Sequence, residues 1–118
     1  MSPALRTRRR YLAFQVVSET KILFTDLSIA IWQSILNFLG EFGTSQAEVG
    51  IVRNSYNESN QTGLIRCNHL AVENVRAALS LIQRIGDVRV IIEVSGVSGT
   101  IKAARTKFFG EKTLEDFT

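Results

Sequence analysis

Apolar residues recur along this chain with two different periods. Tyr11-Leu-Ala-Phe-Gln-Val-Val17 is rich in aromatic and β-branched residues and predicts a strand. From Leu27 to Phe42 the spacing becomes helical, with Leu27, Ile31, Ile35, Phe38 and Phe42 in series. A second set, Trp32, Leu36 and Leu39, widens that stripe, and the polar stripe of Gln33, Asn37 and Glu41 is narrow. Thr25 or Asp26 is placed to cap this helix, and Gly43 to stop it. Residues 47–52 alternate and predict a second strand; residues 54–62 are polar and turn-like; Gly63-Leu-Ile-Arg-Cys67 predicts a third strand. Residues 47–67 therefore predict a long hairpin. Ala71 to Ile85 predicts a second amphipathic helix, with Val72, Val75, Leu79 and Ile82 on one face and Gly86-Asp87 at its end. Val88 to Val94 predicts the fourth strand, and Thr100 to Phe108 a third helix.

The order β-α-β-β-α-β with an added C-terminal helix is the ferredoxin-like, RRM-like α+β arrangement. It predicts a four-stranded antiparallel sheet with the two long helices on one face. The expected organisation is a flexible basic N-terminus over 1–8, a single domain over 9–109 and a polar tail over 110–118. The chain has 118 residues, 45% of them hydrophobic and 21% charged, which suits one globular core. No run reaches about 18 apolar residues, so no membrane span is expected. The single cysteine, Cys67, excludes an internal disulfide and fits a reducing, cytoplasmic setting.

The net charge is +3, unevenly placed: Arg6, Arg8, Arg9 and Arg10 crowd the start, and Lys102, Arg105, Lys107 and Lys112 the end. Such clusters favour polyanionic partners. The stretch Ser95-Gly-Val-Ser-Gly-Thr-Ile-Lys102 places a glycine-rich turn between a strand and a short basic helix. Ser98 or Thr100 is placed to cap that helix, whose unpaired N–H groups suit a phosphate. Chemistry of other kinds has little support. Cys67 and His69 cannot make a zinc site, which wants three or four ligands. In an extended strand they share a face, but a buried thiol and a turn histidine are the expected roles. Glu93 is expected to pair with Arg89 or Arg66. The third strand has no aromatic residue, and Tyr11 alone is no stacking platform. The 27–42 helix is apolar enough that either the sheet or a protein partner must cover its second stripe.

Three stretches, Arg9-Arg10-Tyr11-Leu12, Gly63-Leu-Ile-Arg-Cys67 and Gly96-Val-Ser-Gly-Thr-Ile-Lys102, resemble the archaeal-type ribonuclease P protein component 2 family. The run Val75-Arg-Ala-Ala-Leu-Ser-Leu-Ile82 fits as well, and the likeness covers roughly residues 8–108. The resemblance implies a protein subunit of the ribonucleoprotein that removes 5′ leaders from precursor tRNA, with the RNA as catalyst. It implies ribonuclease P RNA and a TIM-barrel protein subunit as partners, together with self-association. It implies no catalytic residue, metal or cofactor on the chain itself, with Mg ions on the RNA. Carried over by position, Arg9, Arg10, Arg66, Ser98, Gly99, Thr100 and Lys102 match the shared stretches, and Arg8, Arg105 and Lys107 extend them as phosphate contacts. Trp32, Leu36 and Leu39 are the residues offered to a protein partner. The family is often more basic after Gly-Thr-Ile-Lys, whereas Ala103 and Ala104 follow here. Two other readings suit the same element order: a ligand-sensing regulatory domain without RNA, and an acyl-phosphate hydrolase. No stretch here resembles the phosphate loop of such a hydrolase.

Overall fold

A computed structural model of the chain describes residues 7–110. The expected N-terminus and tail therefore lie mostly outside the described residues. The elements are β1 (Arg9–Ser18), α1 (Phe24–Ala47), β2 (Gly50–Ile51), β3 (Thr62–Asn68), α2 (Val72–Ser80), β4 (Arg84–Ile85), β5 (Val88–Ser98) and α3 (Ile101–Phe108). They form a five-stranded antiparallel sheet in the order β2-β3-β1-β5-β4. Strand alternation sorts β1 cleanly. Leu12, Phe14 and Val16 join Leu27, Ile31, Ile35, Val75 and Leu79 in the core beneath α1 and α2. Tyr11 and Ala13 point the other way and meet Leu64 and Ala104 of α3. The two long helices do share one face, and α3 covers part of the opposite one.

Several expected boundaries move, each for a physical reason. The sheet has five strands rather than four, because the second helix ends at Ser80 and the chain re-enters the sheet at Arg84–Ile85. Gly86-Asp87 is not a helix stop but a two-residue hairpin loop, with Ile85 opposite Val88 and Arg84 opposite Arg89. Such loops need positive φ at their first residue, and Gly86 supplies it at 61°. Gly43 does not stop α1. The helix continues to Ala47 by bending at Gly40, whose φ of 74° and ψ of 173° belong almost only to glycine. The bend returns Ala47 to the core, so the expected strand over 47–52 shrinks to Gly50–Ile51. Neither Thr25 nor Asp26 caps α1; the N-cap is Leu23, which makes no side-chain cap bond.

The loop from β1 to α1 is clamped by one buried amide. Gln61 accepts from the Ile22 N–H at 2.6 Å and donates to the Val16 carbonyl and the Ser18 hydroxyl at 3.0 Å each. The Tyr56 hydroxyl donates to the Ile22 carbonyl at 2.9 Å, and burial, with Glu58 nearby, pushes its pKa upward.

Candidate functional site

The last strand runs further than its glycines suggest. β5 continues to Ser98, with Tyr11 opposite Ser98, Leu12 opposite Val97 and Ala13 opposite Gly96. Ser95 is the extra residue of a bulge beside Ala13 and Phe14, after which Val97 returns to the core side. The glycine-rich turn is thereby reduced to Gly99 and Thr100. Ser98 is a strand residue, and the cap is Thr100, whose Oγ1 accepts from the Ala103 N–H at 3.0 Å. The Ala104 N–H bonds the Thr100 carbonyl at 3.1 Å. The amides of Ile101 and Lys102 remain as first-turn donors that the helix itself does not use.

α3 is held by small residues on both sides of its contact. Ala104 is fully buried against the sheet, and the Phe108 ring lies directly on Gly96. A basic residue at position 104 would be driven into the Tyr11–Leu64 cluster, which explains the alanine there. Tyr11 is buried under this helix and is unavailable for base stacking. Lys102 and Lys107 face solvent and Arg105 is half-buried; the Lys107 ammonium also sits 5.7 Å from the Phe108 ring centroid.

Strand register collects the other cations at the same end of the sheet. Gly50, Arg66, Tyr11 and Ser98 form one continuous rung across β2, β3, β1 and β5. Arg10 stands one rung further, opposite Cys67, and Arg9 opposite Asn68. The Arg66 guanidinium lies against Gly50, in space that any side chain there would occupy. Arg8, Arg9 and Arg66 line one hollow beside Glu48. The Arg10 Nη1 donates to the Arg9 carbonyl at 2.8 Å, and a side chain at Gly99 would come into van der Waals contact with it. Arg8 is tied to His69 twice: its carbonyl accepts from the His69 N–H at 2.7 Å, and its N–H donates to the His69 side-chain Nδ1 at 3.0 Å. Among the described residues the one ion pair is Arg76–Glu73, at 3.8 Å on α2. Among the described residues none of these cations has a carboxylate within ion-pair distance, and neither Arg66 nor Arg89 pairs with Glu93, which stands opposite Gln15.

The other candidate groups separate. Cys67 is buried on the helix side of the sheet, and burial pushes its thiol up to about 11. His69 lies past the end of β3 in an exposed turn, so the two do not face each other. On α1, Leu36 is 42% exposed, Trp32 is half-buried and Leu39 packs against the core. Ile29, at 62% exposure, continues the Trp32–Leu36 line toward the start of the helix. The sequence reading missed Gly50 as a member of the basic site. A glycine inside an alternating strand is the signal for such a close approach.

Comparison with known proteins gives the same picture over nearly the whole chain. "Ribonuclease P protein component 2" of Pyrococcus furiosus is 40% identical over 111 residues, 94% of this chain and 91% of that protein. The protein of the same name from Methanosarcina mazei is 34% identical over 110 residues, 93% of this chain and 91% of that protein. A chain in the cryo-EM structure of yeast ribonuclease MRP superposes with a TM-score of 0.58 at 13% identity, covering 79% of this chain and 75% of that one, and so shares the fold. Residues 10–109, from the basic strand to the end of α3, match the family model for the Rpp14/Pop5 family, and the chain belongs to that family.

Proposed function

We infer that this chain is a protein subunit of ribonuclease P, supporting a catalytic RNA in endonucleolytic removal of 5′ leaders from precursor tRNA. The observation that carries this is likeness over 94% of the chain to a protein named ribonuclease P protein component 2, joined to the clustering at one sheet end of cations without carboxylate partners among the described residues. The role is electrostatic and architectural. Arg8, Arg9, Arg10 and Arg66, with Lys102, Arg105 and Lys107, neutralise phosphates so that RNA segments can approach each other. Ser98, Gly99 and Thr100 set the start of α3, whose free amides add donors beside Lys102. The chain supplies no catalytic group, and the Mg ions of the reaction belong to the RNA. A TIM-barrel subunit is the proposed protein partner, docking on the α1 stripe of Trp32, Leu36 and Leu39; a second copy of the chain competes for the same stripe.

The test is RNA binding across a salt series. Replacing Lys102, Arg105 and Lys107 together by alanine should lower the slope of log K against log salt by about 2 to 3, at roughly 0.7–0.9 per phosphate contact. An unchanged slope would show that α3 does not touch the RNA backbone. A regulatory domain without RNA would instead show a small-molecule thermal shift and no RNA binding.

A further inference from the structure

The sheet face that carries α3 is only half covered. Beyond Tyr11 and Ala13 the face is open, and Val17 of β1 stands opposite Ile91 of β5, at 46% and 60% exposure. Arg89 lies two residues before Ile91 and so shares its face. Arg84 stands directly opposite Arg89 in the β4–β5 hairpin. These four side chains line one hollow. Like charges set opposite each other destabilise a hairpin, and no packing demand places arginine at either position, since both are exposed. Glu19 and Asp87 also line the hollow, and Glu93 stands further along β5. Among the described residues none of these carboxylates is within ion-pair distance of either guanidinium.

We propose that this hollow binds a single-stranded RNA segment, with one phosphate held between Arg84 and Arg89 and the adjoining nucleoside resting on Val17 and Ile91. The inference rests on the ribonuclease P reading above. An RNA strand alternates a charged phosphate with a flat, weakly polar base, which matches a charged pair beside an apolar pair. Guanidinium forks suit phosphate oxygens, and only an unstacked base can reach the apolar pair. Glu19, Asp87 and Glu93 limit the site to one phosphate rather than a run of them. Arg89 is nine residues from Ser98 along β5, about 30 Å at the rise of a strand, so this site takes a different RNA segment from the α3 end. The sheet then acts as a rigid spacer between two segments.

The experiment uses the full chain and the ribonuclease P RNA of its own organism, with binding measured over a salt series and hydroxyl-radical footprinting of the RNA. Arg84→Ala with Arg89→Ala should lower the salt slope by about 0.7, the share of one single-strand phosphate. It should also expose an RNA segment distinct from that exposed by the Lys102, Arg105 and Lys107 alanine variant. Val17→Ser with Ile91→Ser should weaken binding, keep the slope and expose the same segment as the arginine pair. Arg84→Lys with Arg89→Lys should keep the slope, and it keeps the test informative if the alanine pair unfolds. If the arginine pair changes neither slope nor footprint while the α3 variant changes both, this proposal is wrong and the ribonuclease P reading stands. If none of the variants changes either, both are wrong. Loss of self-association or of a protein subunit, with the footprint intact, would make the hollow a protein-docking surface instead.

Discussion

Gly96→Ala probes the seat of α3 with one methyl group. Gly96 has ordinary strand geometry, so alanine there costs nothing in backbone strain and gains about 0.5–1 kcal/mol from a less flexible unfolded chain. Against this, any Cβ at position 96 overlaps the Phe108 ring. Overpacking of this kind costs about 1–3 kcal/mol. If the helix instead lifts to release the ring, Phe108 loses part of the roughly 1.5–3 kcal/mol that burying a phenylalanine provides. The balance is a net loss of about 1–2 kcal/mol, or roughly 5–10 °C in Tm for a domain of this size. Scanning calorimetry would measure the shift, and amide hydrogen exchange would show protection lost over Ala104 to Phe109 while β1 and β3 keep theirs. The sharper assay is a double-mutant cycle. In a Phe108→Ala background the clash partner is gone, so Gly96→Ala should become neutral or slightly stabilising. An equal penalty in both backgrounds would refute the reasoning, because the cost would then lie in the strand and not in the helix seat.

Two further predictions follow from buried groups. Gln61→Ala removes three side-chain hydrogen bonds and leaves the buried Ile22 N–H without its partner. It should cost about 2–3 kcal/mol, read as a lower urea midpoint with unchanged m-value, and a loss under 0.5 kcal/mol would show that water replaces the amide. Cys67 should react with a thiol reagent at pH 8 far more slowly than a free thiol, since burial raises its pKa from 9.0 to about 11. The raised value means the folded state holds its proton while the unfolded state loses it. This stabilisation is complete below pH 9 and declines between pH 9 and 11 by up to about 1.4 kcal/mol per pH unit. Replacing Cys67 with alanine should remove that part of the alkaline loss in stability, and an unchanged pH profile would contradict the shift.

Sequence alone determined the types of the long elements but not that of β4, because each long element's apolar period reflects a face that must be buried whatever its neighbours. Leu27, Ile31 and Ile35 could only be one side of a helix, and Leu12, Phe14 and Val16 one side of a strand. It also placed the cations of the basic site, whose charge needs no fold to be read. Element ends were another matter. Gly43 lies within a helix and Gly40 bends it, although both are glycines in a helical pattern; which one takes a positive φ depends on where Ala47 must pack. Gly96 reads as a turn but is a strand residue, because Phe108, twelve positions later, needs the space above it. Arg84 reads as the end of a helix, yet the Gly86-Asp87 loop pairs it with Arg89. These choices depend on contacts between residues distant in the chain, and a local pattern carries no record of them. Tertiary structure likewise decided that Arg66, Tyr11 and Ser98 share a rung, that α3 seals Tyr11 from solvent, and that the opposite half of the same face stays open.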